Sequence, residues 1–108
     1  MARKKDAVKT TMTQDELNNQ IAPILQGKGF RYVGDNTWHA GLGFGWFGGG
    51  TFIIANIVGG ICYLEGFVRG SFGAENDFSL LKQLWYGVAP IHNALGFAVY
   101  REVLASIR

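Results

Sequence analysis

The sequence predicts an α+β domain: an antiparallel sheet of four or five strands, with an N-terminal helix and a long C-terminal helix packed on it. Three observations carry this. A chain of 108 residues has room for one core. Apolar types make up 48% and charged types only 17%, too apolar a balance for general disorder. The hydrophobic spacing begins helical, turns to alternation after Gly29, and returns to helical near the C-terminus.

The chain opens on charge. Residues 1–12 hold Arg3, Lys4, Lys5 and Lys9 against Asp6 alone, which leaves the remainder slightly acidic. This stretch reads as a disordered, solvated basic tail before a single domain over 13–108, and it lacks the apolar segment of a signal peptide. The body shows no basic stripe that would extend a phosphate-binding footprint, which argues against nucleic acid as a partner.

Thr13 is a good N-cap, Glu16 completes a capping box, and Met12 can staple onto Leu17. Leu17, Ile21, Ile24 and Leu25 then give one apolar helix face. Pro23 lacks the amide that would bond to Asn19, so a kink is expected, or a short helix followed by a new turn. Gly27 and Gly29 supply the stop. Residues 30–33 and 37–40 flank Gly34-Asp35-Asn36 as a short hairpin, and residues 52–58 and 61–69 flank Gly59-Gly60 as a longer one. In the last strand Cys62, Leu64, Gly66 and Val68 should face the core; Ile61, Tyr63, Glu65, Phe67 and Arg69 face the other way. Residues 75–80 read either as a fifth strand or as part of a short helix capped by Asp77. Pro90 fits the first position of the closing helix. That helix carries one stripe of Ala94, Leu95, Ala98, Val99, Val103 and Ile107, and a second of Phe97, Tyr100 and Leu104. Two stripes have more surface to bury than one sheet supplies, which points to a deep groove or a subunit partner, and the second stripe is expected to contribute to a self-association surface.

Residues 40–64 form 25 consecutive positions without a formal charge, long enough to span a bilayer. Eight of them are glycine, and Gly59-Gly60 divides the apolar part, so two strands and a turn describe the run better. A water-soluble fold without a transmembrane span is therefore expected.

Chemistry is sparse. The glycine-rich stretch 41–50 has no Gly-Lys-Ser/Thr and no Gly-x-Gly-x-x-Gly opening a helix, so it is not a phosphate loop. Phe44, Trp46 and Phe47 within it are candidate contacts for an apolar ligand or a lipid surface. His39 and His92 have no metal-ligand spacing, and no cofactor is implied. Cys62 lies in the most apolar strand, where a thiol is normally an inert core group. Glu65 and Arg69 share a strand face some 13 Å apart at about 3.3 Å per residue, too far to pair with each other, so Arg31 and Glu75 are their expected partners.

Gly29-Phe30, Trp38-His39-Ala40-Gly41, Leu64-Glu65-Gly66-Phe67-Val68-Arg69, Glu75 and Gly87-Val88-Ala89-Pro90 together resemble a small domain of uncharacterised proteins from Gram-positive bacteria. Ile91-His92 and the glycine-rich loop depart from that pattern. The resemblance implies an α+β fold in an intracellular setting, either cytoplasmic or beside a membrane, and brings no reaction and no catalytic residue. The sequence therefore points to a non-enzymatic, self-associating interaction module. The alternatives are a binder of an apolar ligand or lipid surface through the 41–50 loop, and a small enzyme of unspecified class. The candidate contacts are Phe44, Trp46, Phe47, Glu65, Arg69, Phe97, Tyr100 and Leu104.

Overall fold

The computed structural model describes residues 2–41, 50–69 and 96–108. The elements run β1 (Ala2–Lys9), α1 (Gln14–Gly27), β2 (Arg31–Gly34), β3 (Thr37–Gly41), β4 (Gly50–Val58), β5 (Ile61–Arg69) and a closing helix α2 over 96–107. The strands form one antiparallel sheet in the order β1-β5-β4-β3-β2. This is the expected α+β architecture.

The fifth strand comes from an unexpected place. Residues 2–9 are not a disordered tail; they pair with β5 from Ala2↔Val68 to Lys9↔Ile61. The charge run hides an alternation. Lys4, Asp6 and Val8 stand opposite Gly66, Leu64 and Cys62 and share their face, whereas Arg3, Lys5, Ala7 and Lys9 share the other. Four cations along a sheet edge also deter pairing with another chain. Residues 75–80, the alternative fifth strand, lie outside the described residues, as does the 75–86 segment as a whole.

Both hairpins close as two-residue turns. Asp35 and Asn36 take φ of 53° and 56°, and Gly59 and Gly60 take 59° and 77°, the left-handed pair that matches the twist of the flanking strands. The 40–64 run accordingly includes the β4–β5 hairpin, and no helix among the described residues is long and apolar enough to cross a membrane.

Helix α1 begins as predicted, with the Glu16 amide donating to Thr13 Oγ1 at 3.2 Å. It does not divide at Pro23 but runs on to Gly27 as one helix. Pro23 is exposed, so the carbonyl it leaves unpaired can turn to water, while buried Leu17, Ile21 and Leu25 hold both halves to the core.

The two helices lie on one face of the sheet. Ile53, Ala55, Cys62 and Leu64 are at most 1% exposed there, under Leu17, Ile21 and Leu25 of α1 and Val99, Tyr100 and Val103 of α2. Gln14 fastens α1 to β4 beyond the end of β3. Its side-chain amide donates to the Ala55 carbonyl at 2.9 Å and accepts from the Ile57 amide at 2.8 Å, acting as a one-residue strand. Gln20 donates to the Ser106 carbonyl and ties α1 to α2.

The second stripe of α2 is largely covered within the chain, where a self-association surface was expected. Tyr100 is 1% exposed and Leu104 9%, and half-buried Phe97 packs against the same core. Ala98, assigned by its spacing to the first stripe, is exposed beside Arg101 and Glu102. The helix has one broad apolar arc, and β1 supplies the missing cover. Lys4 Nζ sits 5.5 Å from the centre of the Phe97 ring, and the Tyr100 hydroxyl donates to the Asp6 carboxylate. Gly66 makes room for Tyr100: a Cβ there would stand 3.0 Å from Tyr100 Cε2 and closer still to Cδ2.

Candidate functional site

The alternation of a strand divides its side chains between two faces, and among the described residues both helices lie on one of them. The other is built from every second residue of each strand, and its composition follows from the registers. One row crosses the whole sheet, through Arg3↔Phe67, Phe67↔Phe52, Phe52↔His39 and His39↔Arg31. The rings of His39 and Phe52 stack with centroids 4.4 Å apart and planes 26° apart, and those of Phe52 and Phe67 with 4.9 Å and 12°. Three rings thus stack upon one another, with a guanidinium-bearing residue at each end of the row.

The following rows run Lys5–Glu65–Ile54–Thr37, then Ala7–Tyr63–Asn56, then Lys9–Ile61–Val58 at the hairpin end. The middle columns are mainly apolar and aromatic, and the β1 column is mainly cationic. Val58 is 64% exposed and Tyr63 47%, and Phe52, Ile54, Ile61 and Phe67 are partly exposed, whereas Cys62 and Leu64 on the helix face are at most 1% exposed.

Glu65 is the carboxylate of this face, and it pairs with Arg3 rather than Arg31. The expected partner was wrong because β2 and β5 lie on opposite sides of β4 and β3, whereas β1 borders β5. The Glu65 side chain is 23% exposed and that of Arg3 50%, so the pair belongs to the surface. Glu75, the other expected partner, lies outside the described residues, and so does the side chain of Arg69. Phe44, Trp46 and Phe47 lie outside them too.

The remaining candidates fall on the covered side. Phe97, Tyr100 and Leu104 are core or core-edge groups. Burial, and then the hydrogen bond to Asp6, hold the Tyr100 phenol well above its ordinary titration range. Asp6 also has a cation within reach, Arg108, at 4.0 Å. Cys62 is fully buried, and burial pushes its thiol up, away from the reactive thiolate. Among the described residues no three His, Cys, Asp or Glu side chains gather where they could hold a metal ion.

A cleft of about 410 Å³ lies between the end of α1, the β3–β4 pair and the first turn of α2. Phe30, Thr51 and Val99 line its depth, and exposed Lys28 and Glu102 its rim. Its size suits a small molecule.

Sequence reasoning missed Arg3, Lys5, Lys9, Phe52 and His39 as one surface. The available signal was the period of two in Arg3-Lys4-Lys5-Asp6-Ala7-Val8-Lys9, which puts Asp6 and Val8 on one face with Lys4 and leaves Arg3, Lys5 and Lys9 on the other. Compared with family models, with curated proteins and with solved structures, the chain matches none of them. The likeness to the small Gram-positive domain therefore rests on its short motifs alone.

Proposed function

We propose that this chain is a non-enzymatic interaction module whose contact surface is the open face of the sheet. The observation that supports it is the register-aligned row Arg31–His39–Phe52–Phe67–Arg3, continued by exposed Tyr63 and Val58. Contiguous partly exposed apolar groups with cations beside them serve no packing need on a sheet whose core is on the other side. Self-association through the helix stripe is disfavoured, since Tyr100 and Leu104 are buried within the chain. Two copies packed face to face would bring cationic edges together, which favours a different partner.

The 410 Å³ cleft supports a second reading, a small apolar ligand held beside Phe30 and Val99. Backbone amide shifts separate the two. They are recorded against anionic vesicles, a single-stranded oligonucleotide, a short-chain fatty acid and rising concentration of the protein itself. The proposal expects the changes at Phe52, Ile54, Tyr63 and Phe67. Changes confined to Lys28, Gly29, Gly96 and Val99 would overturn it in favour of the cleft.

A further inference from the structure

Resting on that reading of the open face, we infer that its partner is an anionic lipid surface. Charge is the first ground. Arg3, Lys5, Lys9 and Arg31 stand on this face among the described residues, against Glu65, which is already engaged by Arg3. On the helix side of the molecule Lys4, Lys28, Arg101 and Arg108 are balanced by Asp6, Asp15, Glu16 and Glu102. The cationic excess among the described residues therefore lies on the other face of the sheet, and an anionic plane would draw that face toward itself.

Shape and polarity are the second ground. Between the cations runs the β4–β5 hairpin, a strip of two nine-residue strands about 30 Å long, bearing Phe52, Ile54, Val58, Ile61, Tyr63 and Phe67 on this side. Its turn is Gly59-Gly60, with no charge from Ile57 to Leu64. Val58, the most exposed large apolar residue described, sits at that end beside Ile61 and Lys9. Apolar groups that enter the headgroup region, with lysines and arginines at headgroup level, are the arrangement by which a surface-bound protein holds an anionic bilayer. Tyr63, apolar in body and polar at its tip, suits the same depth.

The aromatic row decides against the other polyanion. Recognition of single-stranded nucleic acid needs ring faces on which bases can lie. The faces of His39, Phe52 and Phe67 are turned to one another at 4.4 and 4.9 Å, so their edges point outward. Edges suit acyl chains and headgroups and offer bases no platform.

The test is co-sedimentation of the full chain with vesicles of phosphatidylcholine alone and of phosphatidylcholine mixed with phosphatidylglycerol, with a single-stranded oligonucleotide measured in parallel by anisotropy. Binding should require phosphatidylglycerol and weaken as salt is raised. Lys5→Ala and Arg31→Ala should each weaken it about fivefold. Val58→Asp should weaken it at least as much, while leaving the unfolding midpoint near wild type because the residue is exposed. Equal binding to both vesicles, or unchanged binding by Val58→Asp, would overturn the inference. Oligonucleotide binding that shifts Phe52 and Phe67 amides, with no vesicle binding, would overturn the lipid surface and leave the open face standing as the contact site. If no probe moves those amides, both the inference and the reading beneath it fall.

Discussion

Leu64 and Tyr63 are neighbours in one strand, yet one is 1% exposed and the other 47%. The two faces of the sheet divide along that alternation. On the covered face, Ile53, Ala55, Cys62 and Leu64 meet two helices, and each side chain is fixed by what it touches. On the open face Tyr63 is exposed and Phe52, Ile54 and Phe67 are partly buried, with the Phe52 and Phe67 rings stacked on each other. The difference teaches that apolar character alone does not mark the core of this protein. Among the described residues, what separates the faces is that both helices pack on one, while the other keeps its apolar groups beside cations.

The contrast sets a ladder of expected effects. Leu64→Ala should cost about 2 to 5 kcal/mol in denaturant unfolding, and Tyr63→Ala under about 1 kcal/mol. Comparable losses would mean that the open face is packed after all. Gly66→Ala should cost about 1 to 3 kcal/mol, since its Cβ meets the Tyr100 ring; an unchanged midpoint would show that α2 does not lie on the sheet at this point. Tyr100→Phe should cost about 1 to 2 kcal/mol near neutral pH by removing the bond to Asp6. The folded state raises the phenol's pKa and so holds that proton more tightly than the unfolded chain does. Its contribution is therefore full below about pH 10 and is lost as the pH rises further, so the gap between wild type and Tyr100→Phe should narrow in alkaline unfolding curves. Glu65→Gln should have the smallest effect, about 0.5 kcal/mol or less, because its pair with Arg3 is partly solvated. A larger loss would return Glu65 to the structural core.

Much of the architecture was legible in the sequence because local chemistry specified it. Thr13 with Glu16, the Asp35-Asn36 and Gly59-Gly60 turns, and the alternation from Cys62 to Val68 each act within a few residues. The failures were of another kind. The N-terminal stretch read as a tail because four cations outweighed the apolar signal of Ala7 and Val8. Losing that strand left the Phe97, Tyr100 and Leu104 stripe without visible cover, and self-association was invoked to supply it. The two errors are one: the strand that was overlooked covers the surface that was left over. Gln14 shows the same limit, since nothing near it in sequence reveals the β4 edge some forty residues away that it satisfies. The candidate site was least legible, because Arg3, Phe67, Phe52, His39 and Arg31 become one row only after four registers are known.

The strand order also sets a timetable. β2 to β5 form a meander in which each strand pairs with its successor, while β1 must find β5 across roughly 50 to 65 residues of chain. Closing so large a loop costs more entropy than closing a two-residue turn, and contacts distant in sequence slow folding. The meander should therefore assemble first and β1 dock last. Until it does, the groove that receives it stays open along β5, and Tyr100 waits for Asp6. The segment that arrives last carries Arg3, Lys5 and Lys9, so the cationic column of the open face is completed only when β1 docks.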